Sequence, residues 1–149
     1  MFKIIVDIES FKFDPKGTST GVVFLEIDNK FFPDSVWSDF PDVILGWWLE
    51  GFIQLLSFNE QGYYELLFMD GPCKWVIDYD GSQDVKINCY RYDKIEVSTR
   101  EKIDKILESL LSVVNDFLRF CHENDYENDD LTILKRHFKK LHFLKKQFK

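Results

Sequence analysis

The chain is poor in sulfur, glycine and proline. Its three cysteines, Cys73, Cys89 and Cys121, are an odd number with no C-x-x-C pair. That argues against a disulfide framework and against a cysteine-ligated zinc site. With seven glycines and four prolines in 149 residues, no stretch reads as a flexible linker or a low-complexity segment. No apolar run approaches the eighteen or so residues that a membrane-spanning helix needs. The opening "MFKIIVDIES" meets an acid directly after Ile4, Ile5 and Val6, too early for the core of a secretory signal. A reducing cytoplasm is the expected location.

Catalytic signatures are missing too. There is no G-x-S-x-G, H-E-x-x-H, P-loop or G-x-G-x-x-G. The histidines, His122, His137 and His142, all fall in the C-terminal third. His137 and His142 are five apart and do not share a helix face. Cys121 and His122 are adjacent, so on a helix they diverge by about 100° and cannot act as nucleophile and base. "DYENDD" starts like a calcium loop, with Asp125, Glu127 and Asp129. Its sixth position is Asp130 where glycine is needed, and its twelfth is Arg136 where glutamate is needed. Asp78, Asp80 and Asp84 in "DYDGSQD" read as turn chemistry. No catalytic residue, metal ligand or cofactor is assigned.

What the chain does have is aromatic mass: fifteen Phe, six Tyr and four Trp, ample for a core at this length. Its net charge of −7 is unevenly spread. Residues 131–149 hold seven of the nineteen basic side chains and no acid, so residues 1–130 carry 26 acids against twelve bases, a net of −14. Phosphate repels such a body, which makes nucleic acid an unlikely main partner.

Periodicity gives the elements. "FKIIVDIE" alternates, with Phe2, Ile4, Val6 and Ile8 on one face. "DPKGTSTG" is a turn, and "GVVFLEID" a more fully buried strand. "GYYELLFMD", "CKWVIDYD" and "DVKINCYRY" form a three-stranded meander, separated by Asp-Gly turns. Ser98 to Glu101 has the spacing of a capping box. It predicts a helix behind it, whose apolar stripe runs from Ile103 to Cys121. A last helix starts at Asp129 or Asp130, with Leu131, Leu134, Phe138 and Leu141 as its apolar positions. The order β-β-α-β-β-β-α-α predicts one α+β domain: an antiparallel sheet of about five strands with helices packed over one face. Residues 1–128 form the body. Residues 129–149 read as a basic helix packed on it, and a chain stopped near Asn128 is expected to fold.

Between the first two strands and the meander lies "WSDFPDVILGWWLEGFIQLL". Asp39 reads as its N-cap, Pro41 suits the first turn and Asp42 suits the helix dipole. At 100° per residue Trp48 falls among Ile44, Phe52 and Leu55, the core side. Trp47, beside Glu50 at the edge of a polar stripe, is the better contact residue. In the tail "LKRHFKKLHFLKKQFK" bases alternate with aromatics, a pattern that suits a membrane surface or nucleic acid. The plainer reading is an apolar stripe on the body with lysines in solvent.

The strand ending in "FFPD", the "W-x-D-F-P" that follows, the paired tryptophans and the "GP" at the first meander hairpin resemble small cytoplasmic proteins of Gram-positive and related bacteria. Several of these look like immunity proteins of polymorphic-toxin systems. The resemblance covers roughly residues 22–97, and its motifs are mostly core-forming. It implies a cytoplasmic, non-catalytic protein that neutralises a toxin by occluding it, with a basic toxin domain as partner. The basic tail departs from the uniformly acidic surface such a protein would present. An acidic surface hastens encounter with a basic partner and sets specificity. The candidate partner-binding residues are Trp47 and Glu50 on the helix, Asp80 and Asp84 at the hairpin, and Asp125, Glu127 and Asp129 in the acidic loop. The alternative is a small-ligand protein or enzyme with a pocket between the Trp-rich helix and the sheet, using Asp39, Glu50 or tyrosines.

Overall fold

The structure, a computed structural model, describes residues 1–14, 17–69 and 71–148. Pro15 and Lys16 of the first turn, Asp70 of the first meander turn and Lys149 of the tail lie outside the described residues.

The long strand β1 (Phe2–Phe13) pairs antiparallel with β2 (Ser19–Ile27), which carries two short strands on its other edge, β3 (Lys30–Phe32) and β4 (Ser38–Asp39). The β2–β3 turn is Asp28-Asn29, both in the left-handed region at φ 50° and 69°, as a two-residue hairpin requires. Helix α1 (Pro41–Phe58) follows. A second sheet is a pure antiparallel meander of β5 (Gly62–Leu67), β6 (Cys73–Tyr79), β7 (Asp84–Arg91) and β8 (Lys94–Lys102). Helices α2 (Ile103–Glu123) and α3 (Asp129–Gln147) complete the chain. The α+β class holds, with the strands shared between two four-stranded sheets instead of one sheet of about five. The inner faces of both sheets meet in one core. Trp75 of β6 packs its ring 5.3 Å from that of Phe2 in β1 and 5.3 Å from that of Trp48 in α1.

The capping-box reading of Ser98 to Glu101 is overturned. These residues are the end of β8, in register with β7 through Asn88↔Ser98, Lys86↔Arg100 and Val85↔Glu101. The Ser98 hydroxyl donates across the strands to Asn88 Oδ1. Helix α2 starts directly after β8 with no side-chain cap, and the Ile103 N–H donates to Gln83 O at 2.9 Å. A full ladder of strand bonds outweighs one local cap, worth only about 1 kcal/mol. Asp39 is likewise not a cap. Phe40 holds that position without a side-chain bond. The buried Asp39 carboxylate accepts from Trp37 Nε1 at 2.8 Å, from the Phe40 N–H at 2.8 Å and from the Met69 N–H at 3.1 Å, tying the start of α1 to the end of β5.

Helix α2 buries Ile103, Ile106, Leu107, Leu110, Val114, Phe117 and Cys121, the stripe its spacing implies. It covers the outer edge of β1, where the Ile4 N–H donates to Ser109 Oγ at 2.9 Å. Phe11 of β1 meets Phe117 edge to face, with centroids 5.0 Å apart. That ring also lies over Gly21, where a Cβ would fall 1.9 Å from Phe11 Cδ1. Only glycine leaves room for it.

Helix α3 lies beside α1 and runs in the same direction. At its start Asn128 bonds Asp42 in the first turn of α1. Further along, Leu134 reaches Gly46, and beyond α3's end Phe148 lines one hollow with Ser57 and Asn59. Leu131, Leu134 and Leu141 are at most 1% exposed and belong to the same apolar cluster as the sheets.

Candidate partner-binding surface

The two adjacent tryptophans of α1 divide as the helical period implies. Trp48 is fully buried and Trp47 is 39% exposed. The space between α1 and the meander holds Trp48, Trp75, Phe52 and Phe68, each at most 2% exposed. That space is core, filled by these four side chains where a pocket was expected. Nor do the carboxylates proposed for it converge. Asp39 is buried among its three donors, while Glu50 is exposed on the far side of α1, in a cleft shared with Arg136, His137 and Lys140 of α3.

The remaining candidates separate into two places. At the β6–β7 hairpin Asp80 accepts from the Ser82 N–H at 3.0 Å, and the Ser82 bonds hold its carboxyl below the ordinary range. Asp84 is ion-paired to Arg100 at 3.1 Å, so half of this candidate charge is already matched within the chain. The hairpin adjoins the start of α2 through Gln83. Asp125, Glu127 and Asp129 follow the end of the same helix. Twenty-one residues of helix put the two acidic groups about 30 Å apart. They do not form one surface.

The second group is the better built. Glu123, Asp125, Glu127, Asp129 and Asp130 are all exposed. Five carboxylates in eight positions, with no lysine or arginine among them, make an acidic pole where α2 gives way to α3. Asp125 takes a left-handed φ of 52°, and the Tyr126 N–H returns to Cys121 O at 2.9 Å. The Tyr126 ring then stacks on Phe13, with centroids 4.1 Å apart. Asn128 is the fastener. Its Oδ1 accepts from the Leu131 N–H at 2.8 Å, capping α3, while Nδ2 shares its two hydrogens among Gly17 O at 2.6 Å, Asp42 Oδ2 at 2.9 Å and Tyr126 Oη at 3.0 Å. The loop is therefore pinned to β1, to the β1–β2 turn and to α1.

Asp42, Asn128, Ser19 and Tyr126 were not among the site candidates read from sequence, where Asp42 was taken only as suiting the helix dipole. Asp42 is 3% exposed. Burial raises its carboxyl pKa, against the bond from Asn128 and the nearby Ser19 hydroxyl, which lower it, and with Asp130, which adds to the rise. Neither Ser19 Oγ nor Asp42 Oδ1 makes a well-formed hydrogen bond. Burial, with Asp42 second, pushes the Tyr126 phenol up to about 12. One signal was available: Asn128 stands directly before two acids and a leucine, the composition of a capped helix start.

The three cysteines are buried and free. Burial pushes the Cys89 and Cys121 thiols up to about 12. Among the described residues no three His, Cys, Asp or Glu side chains are placed to hold a metal, and no helix is long and apolar enough to cross a membrane. Comparison with protein-family models, with curated proteins and with solved structures finds no match to the chain.

Proposed function

We propose that the protein is a non-catalytic cytoplasmic binding protein that uses its acidic pole to take a basic protein partner, in the manner of an immunity protein occluding a toxin. The observation that carries this reading is the pinned loop: Asp125, Glu127 and Asp129 stand exposed beside Glu123 and Asp130, on a backbone fixed through Asn128. Clustered carboxylates on a rigid support give a basic partner a strong and oriented field without ordering cost at encounter. The family resemblance of residues 22–97 supports the toxin-neutralising form of the idea. Trp47 and Glu50 lie on α1, away from the pole, and are not part of the proposed contact.

The test is affinity capture with the wild-type chain and with the triple reversal D125K/E127K/D129K, using D80K/D84K as a control of equal chemistry at the other end of α2. A basic protein held by the wild type and the hairpin control, but released by the triple reversal, is the expected result. Its association rate should fall with the reversal and with rising salt. Coexpression should then abolish the partner's toxicity. A partner indifferent to the triple reversal would remove the acidic pole from the function.

A further inference from the structure

From its third turn onward α3 carries a surface of the other sign. Arg136, Lys139, Lys140 and Lys146 are exposed, and none has a carboxylate within ion-pairing distance among the described residues; Lys135, also exposed, belongs to the acidic pole, where it lines one hollow with Asp125 and Glu127. The ion pairs there are made by the chain terminus, Lys74, Arg91, Arg100, Lys105 and Arg119. Among the described residues Arg136 is thus the one arginine of four without an ion pair, in a chain rich in acids. Phe143 stands in the middle of these cations. It is nine positions from the buried Leu134, hence about 180° round the helix, and is 59% exposed. Lys139 and Lys146 flank it on one side, Arg136 and Lys140 on the other. The adjacent helix α1 adds Phe58, 69% exposed. Phe58 lines the same cleft as Arg136, His137 and Lys140, with Glu50 the single acid there. Two parallel helices side by side thus present cations with projecting aromatic rings.

We propose that this face docks on an anionic phospholipid bilayer, independently of any protein partner at the acidic pole. Cations along a helix are drawn to the diffuse negative potential of a lipid surface, by about fivefold in affinity per lysine. Aromatic side chains favour the headgroup layer just beneath. The mix of residues favours lipid over nucleic acid. Three of the four cations are lysines, which need no directed pairing, whereas phosphodiester recognition prefers the arginine fork. The acids Asp129 and Asp130 do not cancel the attraction. Fourteen residues of helix separate Asp129 from Phe143, about 20 Å, against a screening length of about 8 Å at physiological salt. Because α3's apolar stripe is already packed on α1, the helix lies on the surface as part of the folded protein.

The experiment is co-sedimentation of the full chain with vesicles of phosphatidylcholine alone and of phosphatidylcholine with about 30% phosphatidylserine. It is repeated with K139E/K146E and with F143S, alongside gel-shift arms with duplex DNA and single-stranded RNA. Binding to the anionic vesicles alone is expected. It should weaken at least about 25-fold in K139E/K146E, and weaken also in high salt. All three changed side chains are exposed, and circular dichroism with thermal melting confirms that the variants fold. Equal binding to both vesicle types, binding unaffected by the charge reversal, or retention of nucleic acid with no vesicle binding would each overturn the proposal.

Discussion

Trp48 and Trp75 meet edge to face, with ring centroids 5.3 Å apart and planes at 88°. Their indole nitrogens are in opposite situations. Trp48 Nε1 donates to Leu67 O at 2.8 Å, whereas the equally buried Trp75 Nε1 has no acceptor among the described residues. Replacing Trp48 by phenylalanine breaks a bond that is made, to the carbonyl of the exposed residue Leu67. The same change at Trp75 removes a donor that was never satisfied. W48F should therefore destabilise more than W75F, by about 1 kcal/mol or more. W48A should cost about 3–5 kcal/mol, and W47A less than about 1. Urea unfolding of the four variants measures this. Equal costs for W48F and W75F would mean that the Leu67 bond contributes nothing net.

Asp42 makes stability depend on pH with an unusual sign. Its folded carboxyl pKa lies above the unfolded value of 3.8 because burial disfavours the charge. The folded state therefore holds this proton more tightly than the unfolded chain. That contribution is fully present below pH 3.8 and is lost as the pH rises through the raised folded value. In D42N the new amide oxygen can still accept from Asn128, and no charge is buried. The variant should match wild type near pH 3.5 and gain on it across the acid range, reaching a constant advantage by neutral pH. Urea midpoints taken from pH 3.5 to 7 follow the difference. A wild type more stable than D42N at pH 7 would show that the dipole of α1 compensates the charge in full.

Helix α3 is expected to be indispensable to the fold. A chain ended at Asn128 would uncover the face of α1 on which the buried Leu131, Leu134 and Leu141 rest, and should lose its cooperative melt. The milder L134A should cost about 2–5 kcal/mol. Calorimetry decides between this and the self-sufficient body that the charge boundary at residue 130 suggests.

Gly21 tests the packing of β1 on α2. In G21A the new methyl would occupy the place of the Phe11 ring, which would have to leave its contacts with Phe117 and Phe120. A loss of about 1–3 kcal/mol is expected. The double variant G21A/F11L should cost less than the sum of the two single changes.

The thiols should be silent in the native protein. Cys73, Cys89 and Cys121 are at most 2% exposed, and burial raises all three pKa values. A thiol reagent at pH 8 should label none of them before unfolding and all three in strong denaturant. Rapid native labelling of one cysteine would reveal local opening around it.

The meander was legible because its information is local. Alternation places Cys73, Trp75, Ile77 and Tyr79 inward, and the turns carry their own chemistry. Trp47 and Trp48 could be told apart for the same reason, since one helical period decides which faces the core. Strand β8 was not legible. Ser98 and Glu101 satisfy a local rule for helix starts, and the competing partner, β7, is a matter of register across a turn. The division into two sheets depends on which strands pair, which no single segment states. The acidic loop could be found by composition. Its anchorage could not, because the Asn128–Asp42 bond joins residues 86 positions apart, and nothing near either one announces the other.

The parallel course of α1 and α3 has a consequence for how the chain acquires its shape. The bed that Leu134 fills on the Trp-rich helix is separated from its occupant by the whole meander and α2. While the meander and α2 form, that flank of α1 stays bare, and its apolar atoms are open to neighbouring chains. Contacts so distant in sequence close slowly, because a long loop must first be ordered. A chain without α3 is therefore exposed at its most aromatic element, and the cationic helix is also the one that shields it.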